Sequence, residues 1–253
     1  MAVVAILAFA GLLWASDEPW KTKPYQQWDK ADIDLVLNNS PWCKKITVDV
    51  NWKPINPASV GKVVVPDQDQ NVELRNHMET QKGGMPDTSP PDASMTSMAP
   101  GGDKSPQTAF TIRWYSSRVV REALAREAVL NGRISEAQGA QLLAEPVTDY
   151  EVIVFGPDMT PFQILSEDQL KSETSLEGKQ SKQKVAPATV RINKAPNGMV
   201  TGVIFLFPKK TAGGEDVAST NEKGFEFACK VKGLDLHNTF DAHKMIDEKG
   251  EDF

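Results

Sequence analysis

Four of the six tryptophans in this 253-residue chain fall close together, at Trp20, Trp28, Trp42 and Trp52. Clustered indoles can stack on sugar rings, so Trp20, Trp28 and Trp42 are candidate ligand-binding residues for a cell-wall glycan. The competing expectation is that they anchor the N-terminal stretch onto a core, because each indole removes a large area from water. Trp52 shares the alternation of Ile46, Val48 and Val50 and is expected in the core. The two cysteines, Cys43 and Cys229, are a candidate disulfide if the chain meets an oxidising compartment. Against pairing, Cys229 alternates with Phe225, Phe227 and Val231, as a small buried hydrophobe would.

Other reactive side chains are less well arranged. His77, His237 and His243 match no zinc-binding spacing, and His-Glu-x-x-His is missing. A surface or structural role is expected for them. There is no Gly-x-Ser-x-Gly nucleophile elbow and no phosphate-cradling glycine loop. The patterns therefore point to no catalytic residue, no metal and no cofactor. Paired carboxylates among Asp32, Asp34, Asp149 and Glu151 would suit glycoside hydrolysis, yet a chain with 34 acids brings some together by chance. Arg113, Arg118, Arg121 and Arg126 would suit an anion. Helical spacing scatters the last three, so a solvated face is expected, with Glu122 and Arg126 as an exposed i,i+4 pair. A formal charge of −6 without a basic stripe argues against nucleic acid as a partner.

The elements that would position these groups begin after a leader. Residues 1–16 are uncharged and mostly apolar, end in Ala15-Ser16, and precede Asp17-Glu18-Pro19. This is the pattern of a secretory signal peptide, although no Lys or Arg precedes the apolar run. The run is too short for a spanning helix of about 20 residues. The chain is thus expected to be exported, periplasmic or extracellular, with membrane contact only through an uncleaved signal. Its expected partner is a cell-envelope protein or glycan.

Residues 17–65 read as a Trp-rich segment with the first strand, preceded by a short helix capped by Asp29. Residues 66–106 lack aromatic residues and are rich in Pro, Gly, Ser and Thr, which predicts a disordered linker or insertion. The main α+β domain is expected over residues 107–253. Phe110, Ile112 and Trp114 alternate in a strand. Ser116 or Ser117 caps one helix and the box Ser135/Gln138 a second, and a strand follows over residues 150–155. Strand, helices, strand predicts one βαβ unit with parallel strands. Thr160/Gln163 and Ser166/Gln169 are further candidate caps, the latter opening a helix over residues 167–172. Pro196-Asn197-Gly198 predicts a hairpin, and the all-apolar run 203–207 a central strand. The expected fold is α+β: a mixed sheet with one βαβ unit, helices mainly on one face, and a disordered insertion.

Several segments resemble a family of uncharacterised exported bacterial proteins. They are Lys23-Pro24-Tyr25 with Trp28, Asn39-Ser40-Pro41-Trp42, Arg113-Trp114, Arg121-Glu122-Ala123-Leu124, the run 202–208, and Phe240-Asp241 with Lys244-Met245. The resemblance implies a compartment and an architecture, and no activity. The expected function is a non-enzymatic envelope or interaction module. Carbohydrate binding through the tryptophans, or a glycosidase-like hydrolase, are the alternatives.

Overall fold

The computed structural model describes residues 18–53, 106–218, 222–231 and 233–253. The expected leader, residues 54–65 of the Trp-rich segment and residues 66–105 of the expected linker, with His77, lie outside these residues. Among the described residues no helix is long and apolar enough to cross a membrane.

The fold is α+β, and local chemistry explains most of its elements. Helix α1 is a single turn, Pro19–Thr22, and a 3-10 turn follows at Tyr25–Gln27. Helix α2, Lys30–Asn38, starts at Asp29, whose carboxylate accepts from Ala31 and Asp32 amides while Asp32 returns the bond. Helix α3 is Arg118–Leu130 and α4 is Glu136–Ala144. Ser117 caps the first and the Ser135/Gln138 box caps the second. Gly132, at φ +67°, closes α3 in the left-handed conformation expected of it. Helix α5, Thr160–Gln163, departs from expectation. Thr160 is not its cap: the Thr160 amide donates to Asp158, and Gln163 instead ties Gly198 and Val200 of the following hairpin. Helix α6, Glu167–Ser172, carries the expected Ser166/Gln169 box.

The strands form two main sheets. The first has the order β1 (Cys43–Asp49), β2 (Gln107–Trp114), β3 (Asp149–Phe155), β7 (Val200–Pro208), β6 (Thr189–Lys194). The second has the order β5 (Lys184–Val185), β4 (Thr174–Gly178), β8 (Gly224–Val231), β9 (Leu234–Asp241). A short ribbon pairs β10 (Ile246–Asp247) with β11 (Gly250–Glu251). The all-apolar run is central, between β3 and β6, as expected. Val50 donates to Pro106, so the chain leaves β1 and re-enters β2 at one point.

The parallel βαβ unit is corrected. Strands β2 and β3 are neighbours and antiparallel, with Trp114 opposite Val152, and every paired strand among the described residues is antiparallel. The reason is the number of helices. One crossover helix carries the chain to the far end of the sheet, whereas the α3–α4 hairpin brings it back to the end it left. The Tyr115 amide marks that return by donating to Glu151 at 2.7 Å.

Alternation divides the side chains of the five-stranded sheet. Trp114, Val152, Phe205 and Phe207 face the four-stranded sheet, where Trp114 meets Phe225 and Phe240, and Phe205 and Phe207 meet Phe227. The opposite face bears Arg113, Glu151, Arg191 and Leu206 and is approached by α2, α3 and α4. One buried apolar cluster runs from Trp20 to Met245. The turn between β6 and β7 uses Gly198 at φ +80°, where a Cβ is costly. Gly198→Ala is expected to lower stability by about 1 kcal/mol in a urea titration with an unchanged slope.

Candidate functional site

The tryptophans do not form a platform. Trp20, Trp28 and Trp42 expose 5%, 1% and 0% of their surface. Trp20 meets Trp42 edge to face at 5.4 Å, the Trp28 indole donates to Lys23, and the Trp42 indole donates to Asp252. Their faces are covered by the core they anchor, so no sugar ring can stack on them as they stand. Trp52 is half-buried and donates to Asp158 at 2.8 Å. Cys43 and Cys229 are buried free thiols, one in β1 of the five-stranded sheet and one in β8 of the other. Burial pushes the Cys229 thiol up to about 11, which makes it inert. His237 and His243 are exposed, and His237 lies 3.3 Å from Glu226.

The four arginines are not a solvated face. Arg113, at 6% exposed, donates twice to the Leu37 carbonyl at the end of α2 and lies 4.9 Å over the Phe155 ring. Arg118 forks onto the Asp247 carboxylate. Arg121 donates to the carbonyls of Leu142, Leu143 and Glu145. Arg126 holds the Trp28 carbonyl and Glu136. Arg113 and Arg121 share a cause: helix C-termini leave carbonyls without amide partners, and a guanidinium supplies several donors and a favourable charge there. Spacing along one helix could not show this, because the acceptors lie elsewhere in the chain.

Glu122 is also drawn inward. It lies 3.7 Å from Lys249 and in the field of Arg118, Asp247 and Asp252. Burial dominates and pushes its carboxyl up to about 7. A carboxyl raised in the folded state binds its proton more tightly there than in the unfolded chain. Its ionisation therefore costs stability as pH climbs from about 4.5 to about 7, and the full penalty holds above that. Glu122→Gln is expected to raise stability at pH 8 by about 1–2 kcal/mol once solvent screening is allowed for, and to leave pH 4 unchanged. Chemical denaturation across pH 4–8 measures this, and an equal pH slope in the two proteins would refute it.

Among the described residues, a cavity of about 130 Å³ lies between the α3–α4 hairpin and the outer face of the five-stranded sheet. Its apolar wall is Leu124, Leu142, Leu143, Pro146, Val147 and Leu206. Its polar wall is Tyr115, Ser116 and Thr148 with Asp149, Glu151, Arg121 and Arg191. Antiparallel pairing builds this wall. Asp149 and Glu151 are two apart on β3 and so share a face, while β7 and β6 bring Leu206 and Arg191 alongside. Most of the polar groups are engaged. The Ser116 hydroxyl accepts from the Glu151 amide, Thr148 donates to Asp149 at 2.7 Å, and Arg121 holds the end of α4. Of the acids noted in the sequence, Asp149 and Glu151 line this cavity; Asp32 caps α2 and Asp34 binds Asn38. No tryptophan lines it.

Tyr115, Ser116 and Arg191 were not legible as site residues. Tyr115 and Ser116 read as the end of a strand and a helix cap. Arg191 lies between Thr189 and Asn193 on the polar side of a hairpin strand, which in sequence reads as a solvent face. Among the described residues, no group of three or more His, Cys, Asp or Glu side chains is placed to hold a metal ion. Comparisons with protein-family models, with curated proteins and with solved structures return no match.

Proposed function

We propose that this chain is an exported, non-enzymatic binding module of the cell envelope, with the α3–α4 cavity as its ligand site. One observation carries the reading. The cavity sets a few fixed polar groups among apolar walls, which is the pattern of a small-molecule binding site. The engagement of Ser116, Arg121 and Asp149 in fixed bonds supports a preformed pocket over a reacting one. Export rests on the uncharged apolar leader at residues 1–16.

Two experiments test the reading. Fractionation with N-terminal sequencing is expected to find the protein outside the cytoplasm, beginning at Asp17; an intact chain in the cytosol would sink the export claim. A thermal-shift screen of small metabolites is expected to yield ligands that raise Tm by mass action. Val147→Trp, which fills the cavity from a loop, is expected to abolish those shifts while keeping the unliganded Tm within a few degrees. Shifts that survive in Val147→Trp would place the ligand elsewhere.

A glycosidase-like hydrolase has one supporting observation, the shared position of Asp149 and Glu151. They lie two residues apart on one face of β3, so their Cα atoms are about 7 Å apart. The cavity volume disfavours it, since about 130 Å³ has no room for the two sugar units that flank a scissile glycosidic bond. Release of reducing ends from a glycan panel, lost in Glu151→Gln, would favour hydrolysis over binding.

A further inference from the structure

We infer that the α3–α4 cavity takes a small amphipathic carboxylate, a short branched or linear carbon chain ending in an anionic head. The inference deepens the binding reading above and rests on it. Four charged residues line the cavity: Arg121, Asp149, Glu151 and Arg191. Three are accounted for within the protein. Arg121 donates from Nη2 to the last carbonyls of α4 and has a further partner within the fold. Asp149 accepts from Thr148 and lies in the field of Lys209. Glu151 also has a partner within the fold. Arg191 is half-buried and has no hydrogen-bond or ion-pair partner among the described residues. A guanidinium held against a low-dielectric wall without an anion forgoes the charge-assisted, two-pronged bond it is shaped to make. A carboxylate head supplies that bond.

The rest of the wall defines the tail. Leu124, Leu142, Leu143, Val147 and Leu206 offer apolar contact and no further unpaired donor or acceptor charge. About 130 Å³ admits only a few carbons. Ser116 stands at the polar side, and its hydroxyl, which accepts from the Glu151 amide, keeps a proton to donate to the second oxygen of a carboxylate. The backbone of Arg191 is fixed, because its strand pairs in regular register with β7 from Thr189 to Asn193 and its neighbour Val190 is fully packed. The ligand would therefore have to order the Arg191 side chain and not its strand.

The test uses 4-methylpentanoate and its neutral amide as probes of the whole chain, followed by amide chemical shifts. The acid is expected to shift Tyr115, Ser116 and Arg191 saturably and to bind about ten- to hundredfold more tightly than the amide. Added salt is expected to weaken the acid and not the amide. Arg191→Gln is expected to bring the acid down to the amide's affinity, and Arg191→Lys to fall between. Equal binding of acid and amide would overturn the carboxylate assignment while leaving the cavity a binding site. No shift with either probe, or with the wider metabolite panel, would overturn both. Unchanged acid affinity in a folded Arg191→Gln would remove Arg191 from the site.

Discussion

Trp114→Ala is expected to destabilise the protein by about 3–5 kcal/mol, the range for removing a fully buried indole. Trp114 is 0% exposed and lies where the two sheets meet. Its ring centroid is 5.4 Å from Tyr150, 5.0 Å from Phe225 and 5.2 Å from Phe240. Alanine would leave a cavity walled by three rings on rigid strands, which cannot collapse to fill it. A loss of this size is a large share of the about 5–15 kcal/mol that holds an ordinary domain folded. Trp114→Phe separates packing from polarity. The Trp114 indole N–H has no acceptor among the described residues, so phenylalanine removes an unsatisfied donor together with some volume. Phenylalanine is expected to cost less than half as much as alanine. Urea titrations of both variants decide the point; similar losses for the two would show that the indole nitrogen is satisfied after all.

Asp252→Ala is expected to cost about 3–5 kcal/mol, the range for breaking a buried charged contact and leaving its partners behind. The Asp252 carboxylate accepts from the Arg118 and Val119 amides at 2.7 and 3.0 Å, so it caps α3 from the far end of the chain. Its own carbonyl accepts the Trp42 indole at 2.7 Å. Beside it, Asp247 holds the Arg118 guanidinium, and Phe253 lies 5.0 Å from the Phe225 ring. Residues 247–253 thus clamp α3 to the core from its first turn. Asp252→Asn keeps an acceptor for one amide and removes the charge, and is expected to cost about 1–2 kcal/mol. Burial raises the Asp252 carboxyl, so ionising it, like ionising Glu122, costs stability as pH rises past the ordinary carboxylate range. A loss below 1 kcal/mol in Asp252→Ala, measured at pH 6, would mean that Ser117 alone caps α3.

The clamp and the cavity share a helix. Arg118 and Glu122 face the C-terminal residues, while Arg121, Leu124 and Ala125 face the cavity. Loosening the clamp should therefore loosen the roof of the ligand site. In Asp252→Asn, affinity for a cavity ligand is expected to fall more than in Gly198→Ala, whose turn lies away from the hairpin. Paired titrations of the two variants with one ligand make the comparison.

What could be read from the sequence was whatever depends on neighbours within a few residues. Asp29, Ser117, Ser135 and Ser166 cap their helices because a cap needs only a side-chain oxygen and amides two or three positions on. Asn197-Gly198 turns the chain because only backbone sterics are involved. The alternation in Phe110, Ile112 and Trp114 is a property of one strand, as is the burial of Cys229 on the face shared with Phe225 and Phe227.

The tertiary structure decided everything that needed a distant partner. Strands β2 and β3 are antiparallel because two helices return the chain to the end it left, and alternation within a strand carries no direction. The tryptophans are core because α1 and α2 fold back over the rest of the chain; an indole has the same letter whether covered or bare. The arginines of α3 turn inward because the carbonyls and carboxylates they need sit on Trp28, Leu142 and Asp247, far from them in sequence. The cavity belongs to this class as well. It joins Tyr115, Glu151, Arg191 and Leu206 from four strands and their ends, and no periodicity in any one segment can place them around a common space.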